Sequence, residues 1–79
     1  MSVTILFFGA TANVAGERRI ELSLTEGLTS NMVVVQILRD IPKLSSHKLL
    51  FSLNQQYATG DEIVRDGDEL AIFTAVSGG

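Results

Sequence analysis

Gly78 and Gly79, which close the sequence, and the few titratable side chains before them are where chemistry must be sought. There is no Cys, so the chain has neither a thiolate nucleophile nor a thiolate metal site. The single His, His47, lies in the polar stretch SSHK, where a solvated loop is expected; one His cannot build a multi-His metal site. Asp61, Glu62, Asp66, Asp68 and Glu69 bring carboxylates together, but without the spacing of a calcium loop. Turn formation and solvated surface account for them. GATANVAG carries two glycines, but no Lys-Ser or Lys-Thr follows, so it is no phosphate loop. What remains is a terminal carboxylate on a tail with almost no side chains. Four residues, Val76 to Gly79, reach at most about 14 Å. Glycine accepts whatever backbone angles a narrow tunnel imposes, so such a tail can carry its carboxylate into another protein. A free carboxylate is a poor acyl donor. It must first be activated, most simply as an acyl-adenylate made with ATP by a partner enzyme. On this reading the domain binds no cofactor of its own and serves as a docking handle.

A tail of this kind needs a compact body. The chain has 79 residues, enough for one small domain, and 46% of them are hydrophobic. The net charge is −3, and Arg18-Arg19 is the one basic pair. Without a basic stripe no nucleic acid is expected, and an acidic chain is expected to meet a basic protein surface. The opening MSVTILFFGATANVAG has no basic leader, and its apolar run is too short for a membrane span or a signal peptide. A soluble, cytoplasmic protein with no membrane partner is expected.

Val3 to Phe8 is β-branched and aromatic and stops at Gly9, which predicts a strand. Val3, Ile5 and Phe7 share one face; Thr4, Leu6 and Phe8 share the other. Both faces are apolar, as for a central strand or one whose second face a partner covers. Gly9 to Gly16 is a loop or a short helical turn through Thr11–Val14. RRIELSL alternates as a half-buried strand and forms a hairpin with the first. In TSNMVVVQILRDIP the three valines favour a strand, yet Val34, Ile37, Leu38 and Ile41 fall at helical spacing. Thr29, Ser30 and Asn31 are candidate caps, and Pro42 disfavours helix at Ile41. A helix of 10–13 residues is expected. Lys48 to Leu53 reads as a strand turning at Asn54, and Glu69 to Ala75 or Val76 as the last strand. There Leu70 and Ile72 take one face, Ala71 and Phe73 the other. The order predicts an α+β fold, a mixed sheet crossed by one main helix in the β-grasp arrangement, over residues 1–75, with a flexible tail at 76–79.

A β-grasp pattern ending in Gly-Gly resembles the ubiquitin-like sulfur carriers, nearest the small subunits of molybdopterin synthase. VTILFFG, LLFSLNQQY, RDGDELAIF and the terminal VSGG carry the resemblance across the chain. It implies that an E1-like adenylyltransferase activates Gly79 with ATP and that a sulfur donor protein converts it to a thiocarboxylate. It further implies that this thiocarboxylate gives sulfur to cyclic pyranopterin monophosphate in molybdenum cofactor biosynthesis, two transfers completing the dithiolene. The small subunit is then a sulfur-donating co-substrate of a sulfurtransferase rather than an enzyme with its own active site. The partner is the large subunit, which holds the basic active-site pocket, in a heterotetramer. The resemblance maps the docking residues onto Phe8, Tyr57 and Phe73, with Val76, Ser77 and Gly78 in the threaded tail. Thr74-Ala75 stands where the family commonly has Pro-Pro, which implies a more flexible or more strand-like exit. Two neighbouring readings share the same tail chemistry: a carrier for thiamin thiazole synthesis, and a modifier joined through Gly79 to a lysine of a target protein.

Overall fold

A computed structural model describes residues 1–75. Its elements are β1 (Ser2–Phe7), α1 (Ala10–Ala15), β2 (Arg19–Ser23), α2 (Ser30–Asp40), a 3₁₀ helix (Pro42–Ser46), β3 (Leu49–Leu53), β4 (Gln56–Tyr57) and β5 (Glu69–Thr74). The strands form one mixed sheet in the order β2-β1-β5-β3-β4. β1 and β5 pair in parallel at its centre, Ile5 opposite Leu70 and Phe7 opposite Ile72. β1 also pairs antiparallel with β2, and β5 with β3. First strand beside last strand, with a helix across one face, is the expected β-grasp.

The alternation read in each strand becomes one buried face. Val3, Ile5, Phe7, Leu70 and Ile72 point the same way and are buried with Val33, Val34 and Ile37 of α2. Burying such a side chain contributes roughly 1.5–3 kcal/mol, so this single layer is the main stabilising term of the domain. It also decides the fate of the three valines. Helical geometry puts Val33 and Val34 against the sheet and leaves Val35 exposed, and tertiary burial outweighs their local strand preference. Thr29 is the cap, its hydroxyl oxygen accepting from the Met32 N–H at 3.3 Å.

The stretch after α2 departs from expectation. Ile41 leaves helical geometry, as Pro42 requires, but Pro42 then opens the 3₁₀ helix. Its missing N–H costs nothing at a helix start. This turn buries Leu44 completely beneath the sheet. The loop between β1 and β2 contains α1, which is short but well anchored. Thr11 is fully buried, and its hydroxyl oxygen lies 2.7 Å from the Phe8 carbonyl and 2.9 Å from the Ile72 carbonyl. One proton serves one acceptor at a time, so the hydroxyl bridges the end of β1 to β5.

Candidate functional site

The sheet face opposite α2 has no covering element among the described residues. Strand register lays two rows of side chains across it. One row runs from Leu6 of β1 through Ala71 of β5 and Ser52 of β3 to Tyr57 of β4. In the next row Phe73 stands beside Leu50, and Phe8, one step past the Phe7–Ile72 pair, continues the row on the β1 side. Phe8 is 52% exposed and Tyr57 75% exposed, whereas Phe73 is half-buried. The Tyr57 and Phe73 rings meet with centroids 6.0 Å apart and planes tilted by 52°, a favourable aromatic arrangement. Ala71 and Ser52 are small, so the face is low in the middle with aromatic groups around it. Leu6, which the sequence already set on the face of Phe8, and Leu50, which it left unassigned, also belong to this face. The alternation of their strands placed them there, but only the pairing sets them beside Phe8 and Phe73.

Local joints hold these groups. The Phe8 N–H donates to the Ile72 carbonyl at 3.0 Å, while Gly9, at φ 59°, turns the chain into α1. Tyr57 is aimed by the two-residue turn between β3 and β4, where Asn54 and Gln55 both adopt positive φ. Asn54 pins that turn to the start of β5. Its side-chain amide donates to Asp68 Oδ1 at 3.0 Å, and its amide oxygen accepts from the Glu69 N–H at 3.0 Å. The NQQY and DGDE blocks, apart in sequence, thus form one joint.

The acidic residues act as turn acceptors. Asp66 Oδ1 accepts from the Ser2 N–H, and Asp68 Oδ2 accepts from the Arg65 N–H. Glu21 accepts from Thr4, Ser2 and Arg19, and the Thr4 hydroxyl first, then Arg19, lowers its pKa. Glu62 ties the loop before β5 to the start of α2: it accepts from the Thr59 N–H at 2.7 Å, the Ser30 hydroxyl at 2.7 Å and the Gly60 N–H at 3.0 Å. The Thr59 bond first, then Ser30, lowers its pKa from 4.5 to about 2. A carboxyl that is a stronger acid when folded stabilises the fold fully above its unfolded pKa and loses that contribution as the group protonates. The Glu62 contribution is therefore complete above pH 4.5 and drains away as the pH falls to about 2. Glu62→Gln is expected to lower the urea midpoint at pH 7. The gap from the parent chain should close between pH 4.5 and about 2. A gap independent of pH would remove the carboxylate from this role.

Phe8, Tyr57 and Phe73 are thus brought onto one face. Gly79, Gly78, Ser77 and Val76 lie outside the described residues. The strand that leads to them is described: β5 ends at Thr74, and the Ala75 N–H donates to the Lys48 carbonyl at 3.3 Å. Proline at 75 could not make that bond, so the exit here is strand-like through Ala75. Among the described residues no three His, Cys, Asp or Glu side chains are placed to hold a metal ion, and His47 is exposed. No helix among them is long and apolar enough to cross a membrane.

Comparison with known proteins places this arrangement. A family model described as the ThiS family matches residues 5–79. The chain is 34% identical over 83 aligned positions to the molybdopterin synthase sulfur carrier subunit of Chlamydomonas reinhardtii, with 100% of both chains covered. Among solved structures it resembles SAMP1, small archaeal modifier protein 1, of Haloferax volcanii, at a TM-score of 0.87 and 27% identity over 100% of both chains. It shares its fold with a chain in the complex of subunits 1 and 2 of the molybdopterin-converting factor from Helicobacter pylori, at a TM-score of 0.71 and 21% identity over 100% of both chains.

Proposed function

The chain belongs to the ThiS family, and from that premise we propose that it is the sulfur-carrier, small subunit of a molybdopterin synthase. One observation carries the reading beyond the family: the strand that supplies Phe73 to the open aromatic face is also the strand that leads to Gly78-Gly79. A partner that covers this face therefore takes hold of the element from which the tail departs. The curated relative with the sulfur-carrier name aligns over its full length, and the complex from Helicobacter pylori gives the fold a precedent for pairing with a second subunit.

The chemistry is that of an acyl carrier. A Gly79 carboxylate oxygen attacks the α-phosphate of ATP on an E1-like enzyme, and pyrophosphate leaves. A persulfide on a donor protein then attacks the acyl carbon, AMP departs with the electron pair of the broken C–O bond, and two thiols reduce the resulting acyl disulfide, being oxidised to a disulfide as the donor's thiol is released. The resulting thiocarboxylate is inserted into the large subunit, where its sulfur bonds to cyclic pyranopterin monophosphate and water then cleaves the acyl–sulfur bond, leaving the sulfur on the pterin and returning Gly79 as a carboxylate. Phe8, Tyr57 and Phe73 do no chemistry in this scheme; they fix where the tail enters. Incubation with the activating enzyme, ATP and a sulfur source is expected to raise the intact mass by about 16 Da, sulfur replacing oxygen at the activated carboxyl. An unchanged mass would overturn the carrier reading.

The likeness to SAMP1 favours one second reading, a protein modifier that forms an amide with a target lysine. The same adenylate serves both. Withholding the sulfur source separates them, because only a modifier then accumulates lysine-linked adducts.

A further inference from the structure

The charges of this chain are sorted by the ends of its sheet. β1 and β5 run one way and β2 and β3 the other, so one end collects the finish of the first pair and the start of the second. Arg18 and Arg19 stand at the start of β2, Lys48 precedes β3, and Lys43 lies in the 3₁₀ helix packed on α1. With Arg39 at the end of α2, five of the six Lys and Arg thus gather at the end where β5 finishes, with Glu17 and Asp40 on that side and Glu21 reaching Arg19. The opposite end carries Glu26, Asp66, Asp68 and Glu69 around Met1 and the start of β1, with Arg65 among them.

The cations share the end of the sheet at which β5 finishes, with Lys48 nearest its last described residue. Lys48 is bonded through its carbonyl to the Ala75 N–H, whereas Arg19 lies two strands away across β1, about 10 Å to the side and level with Ala71, roughly 13 Å short of Ala75 along β5. A groove of about 490 Å³ opens on the β1, α1 and β2 side of this end, beside Phe8, with Leu6, Ala12, Asn13, Arg18 and Arg19 in its lining. Arg19 is held by Glu21 at 3.1 Å, whereas Arg18 makes no ion pair among the described residues.

We propose that this basic end is a docking collar for an acidic patch of a partner protein, set at the mouth of the site that receives the tail. This rests on the carrier function proposed above. The net charge of −3 misleads about the partner, because the carboxylates that produce it cluster at the far end. Screening over about 8 Å at physiological salt leaves the local cations in charge of the contact. The groove selects the occupant: apolar walls and an unpaired guanidinium fit a segment in which a carboxylate neighbours an apolar side chain. A basic pocket deeper in the partner is compatible with this, since the tail spans up to about 14 Å before its end.

The probe is the molybdopterin synthase large subunit of the same organism, with association and dissociation rates followed by stopped flow at low and high salt. For the parent chain, kon is expected to fall as salt rises. Arg18→Glu combined with Lys48→Glu should slow association about tenfold and change koff less than about twofold. Asp61→Lys, an exposed change at the other end, should alter kon less than about twofold. Association that is indifferent to the double reversal, or accelerated by it, overturns the collar while leaving the carrier function standing. Failure of the parent chain to bind the large subunit at all overturns the synthase-subunit reading and the collar together.

Discussion

Removing Gly79 is expected to abolish sulfur transfer while leaving folding and docking almost unchanged. The shortened chain still ends in a glycine carboxylate, so its chemistry is the same and only its reach differs. Each residue spans about 3.5 Å, and that is the distance by which the reacting group now falls short. Reacting atoms must approach to about 3–3.5 Å, and a misplacement of only 1 Å costs about 100-fold. Transfer should therefore drop by at least about 100-fold in a single-turnover assay with the large subunit and the pterin precursor. Calorimetric affinity for the large subunit and the thermal midpoint should stay close to those of the parent chain. Normal transfer by the truncated chain would show that the reach supplied by Gly79 is not required, and would overturn its role as the reacting residue.

Phe73→Asp is expected to weaken binding to the large subunit by about 100-fold or more. Phe73 stands on the central strand of the open face, beside Leu50 and against Tyr57, where an aromatic anchor has most to contribute. A carboxylate there must be desolvated on docking without a partner built for it. The domain should survive, because Phe73 is not among the core side chains and a strand-propensity loss is about 1 kcal/mol. Its neighbour supplies the contrast. Ile72 is fully buried on the other face, and Ile72→Asp should unfold the chain outright. Circular dichroism and binding measured together separate the two outcomes. If Phe73→Asp unfolds as Ile72→Asp does, Phe73 belongs to the core and the open face is not a docking surface.

Much of this was legible in the sequence because period-two alternation is hard to misread in short strands bounded by glycine. It assigned Phe8 and Phe73 to the face away from Ile5 and Ile72, and helical spacing resolved the three valines of α2. Pro42 gave the end of α2, but the 3₁₀ turn behind it was hidden, since Leu44 between polar residues resembles any loop residue. Thr11 was equally hidden: a buried hydroxyl announces itself only when its two carbonyl partners, remote in sequence, are in place. The sorting of charge was the least legible feature. Total charge pointed to a basic partner surface, whereas strand direction, a property of topology and not of composition, sets cations at the end of the sheet where β5 finishes.

The parallel pairing of β1 with β5 also governs when this domain can exist at all. Among the described elements β1 is made first, and β5, its parallel neighbour at the centre of the sheet, is made last. At ribosomal speeds of about 5–20 residues per second, β1 waits several seconds for β5. A chain arrested anywhere before β5 lacks the middle of its sheet, and with it Leu70 and Ile72 of the core. It also lacks Ala71 and Phe73 of the open face. Synthesis therefore acts as its own proofreading: an unfinished copy has no surface with which to occupy a partner, and a copy able to dock has already been translated almost to its tail.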